Sequence, residues 1–290
     1  LDVPQASSKG IPGNTLPVNV GSMVNKGIEF AVKFNALNTG NFSWVINANM
    51  TTLKNEVLEL NSPTARIQSA TSGLESPSIT QVGESVGSIL AVPSIGINEA
   101  NGRRMFQMAN GTVAEYNHQG TGWTVVGTGA AIASPSQLVD GLVYGPTLPK
   151  YYGGFDNTFR YKNWDMSVFL QFSGGNYVYN GTKAGLRDQR FWNNHTDILD
   201  RWTPENPTGK IPRVVYGDNV SNGSALVISE NVEKGDFLRG RNISLGYTLN
   251  KALLNKIKMT NARVYVQCQN AFLITKYTGI DPENQANGNS

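Results

Sequence analysis

Sustained alternation of apolar and polar residues is the feature that most restricts how this chain folds. Between residues 164 and 172, one face carries Trp164, Met166, Val168, Leu170 and Phe172. The opposite face carries Asp165, Ser167, Gln171 and a single exception, Phe169. A period of two is typical of a β-strand with one apolar and one polar face. About ten such residues also suffice for a tilted strand to cross a bilayer.

The same alternation recurs along the chain in long stretches. It is found at 27–37, 42–53, 151–161, 236–249 and 261–272. Short connections at 38–41, 162–163 and 250–259 alternate with long excursions at about 55–150, 175–233 and from 273 onward. We therefore predict hairpins with the short turns at the periplasmic side and the excursions outside the cell. Because lipid leaves no backbone group unpaired, such strands must close into a transmembrane antiparallel β-barrel.

Composition agrees with a membrane barrel and argues against several other classes. Only 16% of the residues are charged, against about a quarter in soluble domains. No apolar run approaches the roughly 20 residues of a membrane helix. The net charge of +3 is too small to argue for nucleic acid. A single cysteine, Cys268, excludes an internal disulfide framework and a cysteine-based zinc site.

Short motifs in a fixed order carry a resemblance to a known family. They are 24–29 (VNKGIE), 82–88 (VGESVGS), 96–103 (GINEANGR), 148–157 (LPKYYGGFDN) with 161–165 (YKNWD), 201–206 (RWTPEN) with 211–213 (IPR), 236–239 (DFLR) through 245–247 (LGY), and 270–272 (NAF) with 275–283 (TKYTGIDPE). Each motif is weak alone, but their order resembles the C-terminal barrel part of the SusC/RagA family of TonB-dependent outer-membrane transporters.

The resemblance implies a fold, a function and partners. The fold is all-β, with residues 1–290 forming the C-terminal portion of a 22-stranded barrel whose plug domain is absent from this chain. The function is TonB-dependent import of an oligosaccharide or peptide across the bacterial outer membrane. The implied partners are a SusD-like surface lipoprotein, TonB and membrane lipid. For this chain the resemblance implies neither enzyme activity nor a cofactor. The chain has no initiator methionine and is expected to be a piece of a longer protein.

Two groups of residues are candidates for function. The polar strand faces are expected to line the lumen around the plug, with Glu29, Lys33, Asn35, Asn47, Asn49, Asp165, Gln171 and Asn242. The excursion 175–233 is expected to contact the lipoprotein or the substrate, mainly through Trp192, Trp202, Arg201 and Asp197. Removing 175–233 from the full-length protein is then expected to impair lipoprotein association or uptake.

Several residues admit a catalytic or metal-binding interpretation that we weigh below a structural one. His118 and His195 are expected to be solvated loop histidines, since no partner residues for catalysis or zinc accompany them. The carboxylates Asp197, Asp200 and Glu205 have neither the cleft of a glycosidase nor the spacing of an EF-hand calcium loop. Residues 281–283 (DPE) are expected to form a proline turn after the last strand.

The remaining candidate residues lie in strands and are expected to contact lipid or the lipid–water interface. Cys268 is expected on the lipid face. Arg239 and Arg241 break the alternation and mark either snorkelling side chains or a β-bulge. An aromatic girdle at the lipid–water interface is expected from Trp44, Tyr151, Tyr152, Tyr161, Trp164 and Tyr247.

Two other protein classes remain open from the residues alone. One is a small structural outer-membrane barrel of eight strands that closes by itself. The other is a soluble carbohydrate-binding β-domain, in which strands should average five or six residues. The long alternating stretches disfavour this second class.

Overall fold

The computed structural model describes residues 2–4, 6–17, 21–69 and 76–283. The strands in chain order are β1 (Asp2–Pro4), β2 (Thr15–Pro17), β3 (Ser22–Asn38), β4 (Phe42–Glu59), β5 (Arg66–Ser69), β6 (Ser78–Gln81), β7 (Ser88–Ala91), β8 (Ser94–Ile97), β9 (Arg104–Gln107), β10 (Val113–Asn117), β11 (Gly122–Val125), β12 (Leu142–Gly145), β13 (Tyr151–Tyr161), β14 (Trp164–Gly174), β15 (Tyr177–Tyr179), β16 (Val232–Lys234), β17 (Phe237–Thr248) and β18 (Arg263–Thr275). The α-helices are α1 (Gln137–Asp140), α2 (Gly181–Leu186) and α3 (Lys251–Lys256). Short 3-10 helices span Ser7–Lys9, Pro12–Asn14, Thr196–Asp200 and Ser229–Asn231.

The long strands form one antiparallel sheet of six strands, in the order β18-β17-β14-β13-β4-β3. We call this sheet the wall. Its strands are 11 to 18 residues long, which confirms the predicted hairpins and argues against the soluble domain with short strands. In the described part of the chain, β3 and β18 are the outer strands of an open sheet.

The short turns connect the strands at one end of the wall, and the long excursions leave from the opposite strand ends, as predicted. The β13–β14 turn has two residues, because Tyr161 pairs directly with Trp164. Lys162 in this turn has a φ of 50°, the left-handed conformation that tight hairpin turns need. The predicted connector at 250–259 contains the helical turn α3.

The excursions differ most from the prediction, because they are folded rather than simple loops. The first contains two four-stranded sheets, β12-β7-β6-β5 and β11-β10-β9-β8. Within this excursion, β9 and β10 form a hairpin, whereas the chain from Ser88 to Ile97 is divided into β7 of one sheet and β8 of the other. The division falls at Val92 and Pro93, where Val92 bridges to Ile228 of the second excursion.

The two excursions share a small core above the wall. Val92, Phe106 and Ile228 are fully buried and pack together, with Trp123 and Leu226 against them. Two of the three central residues come from the first excursion and one comes from the second. We call the combined unit the cap. It is joined to the wall where Asn55 of β4 accepts hydrogen bonds from the Ser85 hydroxyl and the Val86 amide, both at 2.8 Å.

Among the described residues, no helix combines the length and the apolar character needed to cross a membrane.

Candidate functional site

The polar face of the wall is continuous across all six strands. Residues paired directly across neighbouring strands share a face. One such row runs from β3 to β18 through Lys33, Asn47, Asp156, Phe169, Asn242 and Gln269. The row takes one residue from each of the six strands, and all of them except Phe169 are polar. The register therefore aligns polar side chains that are as far apart in the sequence as Lys33 and Gln269.

The remaining candidate lumen residues fall on the same face. Glu29 pairs with Thr51, Asn49 with Gly154, Gln171 with Arg239, and Asp165 with Arg160. Asn35 pairs with Val45, next to the row above. Phe169, the exception in the alternation, also lies on this face, where its ring occupies the space that a side chain on Gly154 would need. The structure thus brings these residues together on one surface, and its role as a lumen remains a prediction.

Hydrogen bonds between strands organise this polar face. Asn242 accepts from the Gln267 amide at 2.8 Å, and the hydroxyls of Ser167 and Ser244 lie 2.8 Å apart. Near the short turns, Arg263 donates to both carboxylate oxygens of Asp165, with its Nε 2.9 Å from Oδ1. The side chains therefore satisfy one another and still present donors and acceptors to whatever occupies the space in front of the wall.

The opposite face of the wall is apolar and exposed. Ile28, Phe30, Phe34, Val264 and Val266 all leave more than half of their surface uncovered. Cys268, which is predicted to face lipid, lies on this apolar face, where it pairs with Ile243. An exposed apolar sheet face of this extent is suited to contact with lipid hydrocarbon.

The aromatic residues near the strand ends divide between the two faces. Tyr161, Trp164 and Tyr247 are paired in one row of the apolar face near the short turns, and the Trp164 and Tyr247 ring centroids are 4.7 Å apart. Tyr151 lies on the apolar face at the opposite end of its strand, next to the excursions. Tyr152 pairs with Thr51 on the polar face, so its predicted place in a lipid-facing girdle is wrong. Adjacent residues of a strand point to opposite faces, and only one of the two tyrosines can face lipid.

Asp197, a predicted contact residue, is held inside the cap by Arg187. The Arg187 Nε donates to Asp197 Oδ2 at 2.8 Å, and its Nη2 donates to the same oxygen. Burial alone would raise the pKa of Asp197, but the hydrogen bond and the positive charge of Arg187 outweigh it and lower the pKa. Asp197 therefore anchors the 3-10 helix at Thr196–Asp200 to α2 in its charged form.

This ion pair predicts an acid sensitivity of the α2 region. A carboxyl with a lowered folded-state pKa adds stability above its ordinary pKa of about 3.9, and this stability is lost as the pH falls through the folded value. Amide exchange of His195, which bonds to the Leu186 carbonyl at 2.9 Å, should keep constant protection from pH 8 to about 5 and lose it below about 4. Asp197→Asn should raise exchange about tenfold at neutral pH.

Asp200→Asn is the matched control for this measurement, because Asp200 has no ion pair among the described residues. Its exchange profile should follow that of the wild type. An Asp197→Asn variant with wild-type protection at every pH would contradict the proposed anchoring.

Trp202 and Arg201 lie where the second excursion packs onto the first. The Trp202 indole nitrogen donates to the Glu99 carbonyl oxygen at 2.9 Å. Its ring covers Gly102, where φ is 72° and an added Cβ would lie 2.4 Å from the ring. Arg201 bridges to Ile211 through the backbone. Both residues are half-buried, and their contacts with a partner remain predictions.

Trp192 differs from Trp202 because it is exposed. It retains 58% of its accessible surface and Phe191 retains 72%, with the two ring centroids 4.8 Å apart. The backbone at Gln189 pairs with Gly217 and Asp218, which brings the exposed Tyr216 to the same part of the cap. Sequence reasoning missed Phe191 and Tyr216, because exposure in an irregular segment leaves no periodic signal.

A buried arginine connecting the two excursions was also missed. Arg104 is 1% exposed; its Nε donates to the Ser221 carbonyl at 2.5 Å and its Nη1 to the Ser94 hydroxyl at 3.0 Å. Nη1 also lies 3.7 Å from Glu230. Burial lowers the pKa of Arg104 to about 10, against the opposing effect of Glu230. Alternation with the buried Phe106 was the available signal for an inward arginine.

The histidines play local roles. The Nδ1 of His118 lies 3.1 Å from the Tyr116 hydroxyl, and its ring packs on Gly217. His195 is exposed and accepts from the Asp197 amide at 3.3 Å. Across the part of the chain that the structure describes, no three histidine, cysteine or carboxylate side chains are grouped to hold a metal ion.

Comparison with known proteins gives consistent matches over nearly the whole chain. TonB-dependent receptor P26 of Formosa agariphila is 32% identical over 98% of this chain and 28% of its own length. TonB-dependent receptor SusC of Bacteroides thetaiotaomicron is 26% identical over 91% of this chain and 24% of its own length. The solved structure of the RagAB peptide transporter superposes with a TM-score of 0.74 at 21% identity, covering 99% of this chain and 29% of that chain. No family model matches.

The resemblance to SusC/RagA-type TonB-dependent receptors is confirmed. The all-β fold class, as part of such a receptor's barrel, is confirmed by the same structural match. The chain spans about a quarter of the length of the curated relatives that it matches. These relatives are named as receptors, and the solved structure as a transporter.

Proposed function

We propose that the protein containing this chain imports a nutrient across the bacterial outer membrane in a TonB-dependent manner. The observation that carries the proposal is the wall, with a mainly polar face that extends across all six strands and an exposed apolar face on the other side. A sheet of this kind separates lipid from an aqueous lumen. Residues 1–290 would supply part of the barrel, with Glu29, Lys33, Asn47, Asn49, Asp165, Gln171 and Asn242 lining its lumen.

The proposed orientation assigns the two ends of the wall strands to the two sides of the membrane. The short turns would face the periplasm and the cap would lie outside the cell. The transported molecule would be an oligosaccharide or a peptide, since the matched relatives include SusC and a peptide transporter. TonB would act through parts of the protein outside this chain.

Import can be tested in the natural host with the full-length protein. Cells are grown on a mixed oligosaccharide hydrolysate or on a casein peptide digest as the limiting nutrient. Removing the protein or TonB should abolish growth on one of the two nutrients and leave growth on a monosaccharide with ammonium unchanged. Unchanged growth on both nutrients in either deletion would contradict the proposal.

We further propose that the exposed aromatic surface of Phe191, Trp192 and Tyr216 contacts a SusD-like surface lipoprotein. Exposed aromatic side chains at a protein surface are frequent anchors of interfaces. Trp202 and Asp197 would act less directly, because their side chains hold the second excursion in the shape that presents this surface. Arg201 would contribute to that shape only through its backbone bridge to Ile211. Deleting 175–233 would be a poor test, because Ile228 and its neighbours belong to the shared core of the cap and the following strand begins soon after.

A point substitution tests this surface more sharply. Trp192→Ala in the full-length protein should weaken association with the lipoprotein about tenfold or more, because a desolvated aromatic anchor is lost. Affinity can be measured on the purified proteins in detergent. Leu142→Ala is the matched control, since Leu142 is an exposed apolar side chain of the first excursion and should leave affinity unchanged. Equal affinities for wild type and Trp192→Ala would remove this surface from the interface.

A further inference from the structure

The segment after the last strand turns back over the polar face of the wall. We call residues 276–283 the strap. It follows Thr275, where β18 ends, and it first contacts the second excursion. Thr278 donates to Glu233 from both its amide and its hydroxyl, each at 2.7 Å. The strap therefore lies between the cap and the wall.

Two arginines of β17 hold the far end of the strap. Arg239 Nη2 lies 2.6 Å from Asp281 Oδ1, and its Nε lies 2.8 Å from Glu283 Oε2. Arg241 pairs with the other oxygen of Glu283 and also donates to Gln171. We call these pairs the clamp. Within the clamp, Arg239 donates a hydrogen bond to Asp281 and Arg241 donates one to Glu283. Such charge-assisted hydrogen bonds are stronger than neutral ones, and Arg239 is buried.

The strand geometry that produces the clamp is a β-bulge. Gly240 pairs with Leu170 while Asn242 pairs with Phe169, which leaves Arg241 as the extra residue. On the other side, Asn270 of β18 adopts a φ of 50° and accepts from Arg241 at 3.2 Å. A bulge redirects side chains, and this one places Arg239 and Arg241 on the side of the strap. The bulge alternative from the sequence is therefore confirmed.

The strap also forms one side of a groove. The groove has a volume of about 430 Å³, with Thr278, Gly279 and Ile280 on one side and α2 on the other. Its charged residues are already paired, Lys183 with Glu233 and Arg187 with Asp197. Ile280 is 85% exposed and Leu186 is 39% exposed, so the groove offers apolar surface more readily than free charge.

We propose that the strap is a fixed part of the lining of the transport path, held in place by the Arg239 and Arg241 clamp. We also propose that Ile280 contacts an uncharged apolar group of the imported molecule. This inference rests on the proposed import function. The clamp itself is a property of the fold and can be measured separately. The strap stays in place during import, because releasing it would require several charge-assisted bonds to break together.

Trypsin cleavage after Lys276 measures whether the clamp holds the strap. Cleavage follows the population of the released strap when opening is fast. In the full-length protein, Arg241→Gln and Glu283→Gln should each be cut at this bond about tenfold faster than wild type. Arg263→Gln is the matched control, because it breaks an arginine–aspartate pair on the same face far from the strap. Equal cleavage of wild type and both clamp variants would overturn the clamp.

Chemical cross-linking tests whether the strap stays fixed. In a Cys268→Ser background, Arg241→Cys with Glu283→Cys joins two positions whose native side chains form an ion pair of the clamp. A short thiol-reactive cross-linker should restore slow cleavage after Lys276 and leave nutrient-dependent growth intact. If cross-linking abolishes growth while the untreated variant still grows, the strap must move during import. That result would overturn the proposal that the strap is fixed.

Ile280→Ser tests the contact with the imported molecule. It should raise the concentration of oligosaccharide hydrolysate or casein digest needed for half-maximal growth about tenfold, through lost apolar contact. Cleavage after Lys276 should stay at the wild-type rate. Ile257→Ser, an exposed isoleucine near the short turns, is the matched control. A wild-type concentration dependence for Ile280→Ser would overturn the contact. If neither nutrient depends on the protein, the import function fails while the cleavage result still decides the clamp.

Discussion

Replacing Arg104 with alanine is expected to lower the free energy of unfolding of the cap by about 3 to 5 kcal/mol. The guanidinium is buried and bonds to Ser94 of the first excursion and to Ser221 of the second. Its removal leaves the Ser221 carbonyl without its donor and Glu230 without one of its cations, and opens a cavity between the excursions. Hydrogen exchange of the Val92 and Ile228 amides in the full-length protein measures the loss.

Arg104→Met separates the charge from the volume of the side chain. Methionine fills much of the space, so the loss should be smaller than for alanine, although the unpaired Ser221 carbonyl remains. Arg201→Met is the control on a half-buried arginine that has no side-chain ion pair among the described residues. If Arg104→Ala exchanges at Val92 and Ile228 like the wild type, the two excursions do not depend on this connection.

Placing an arginine on the apolar face of the wall is expected to destabilise the assembled protein by about 2 to 4 kcal/mol. Val266→Arg puts a guanidinium on the face that carries Val264 and Cys268, where the proposed lipid cannot hydrogen-bond to it. Gln267→Arg, one residue along, places the same charge on the polar face beside Ser244 and should change stability by less than about 0.5 kcal/mol.

The pair can be compared by denaturant unfolding of the full-length protein in lipid vesicles. The predicted order of stability is wild type and Gln267→Arg together, with Val266→Arg well below. An equal loss for both variants would mean that the two faces do not meet different solvents, and the transmembrane interpretation of the wall would fail. The measurement is independent of substrate and partner.

The wall could be anticipated because its code is local. A strand with one apolar and one polar face alternates apolar and polar residues with a period of two. The stretches from Trp164 to Phe172 and from Ile28 to Phe34 both show this alternation. The register across strands also follows, since a slip by one residue would bring every apolar side chain to the polar face. Tyr152 is the exception to the girdle because it directly follows Tyr151, so the two side chains lie on opposite faces of the strand.

The cap could not be anticipated in the same way. Its strands are mostly four or five residues long, too short for a period to stand out. Its stability relies on long-range contacts such as Val92 with Ile228 and Arg104 with Ser221, which join segments more than a hundred residues apart. Polar side chains such as Asn180 and Asn231 are buried there to satisfy irregular backbone, and in the sequence they are indistinguishable from loop residues.

The sequence by itself determined the two-faced strands, the hairpin order and the relationship to TonB-dependent receptors, because alternation and ordered motifs are properties of the chain. Only the tertiary structure decided that the excursions share one core, that Trp202 is packed while Trp192 is exposed, and that Arg239 and Arg241 turn toward Asp281 and Glu283. These features depend on which distant segments meet and on a bulge that reverses side-chain direction. Neither is encoded in a local period of residues.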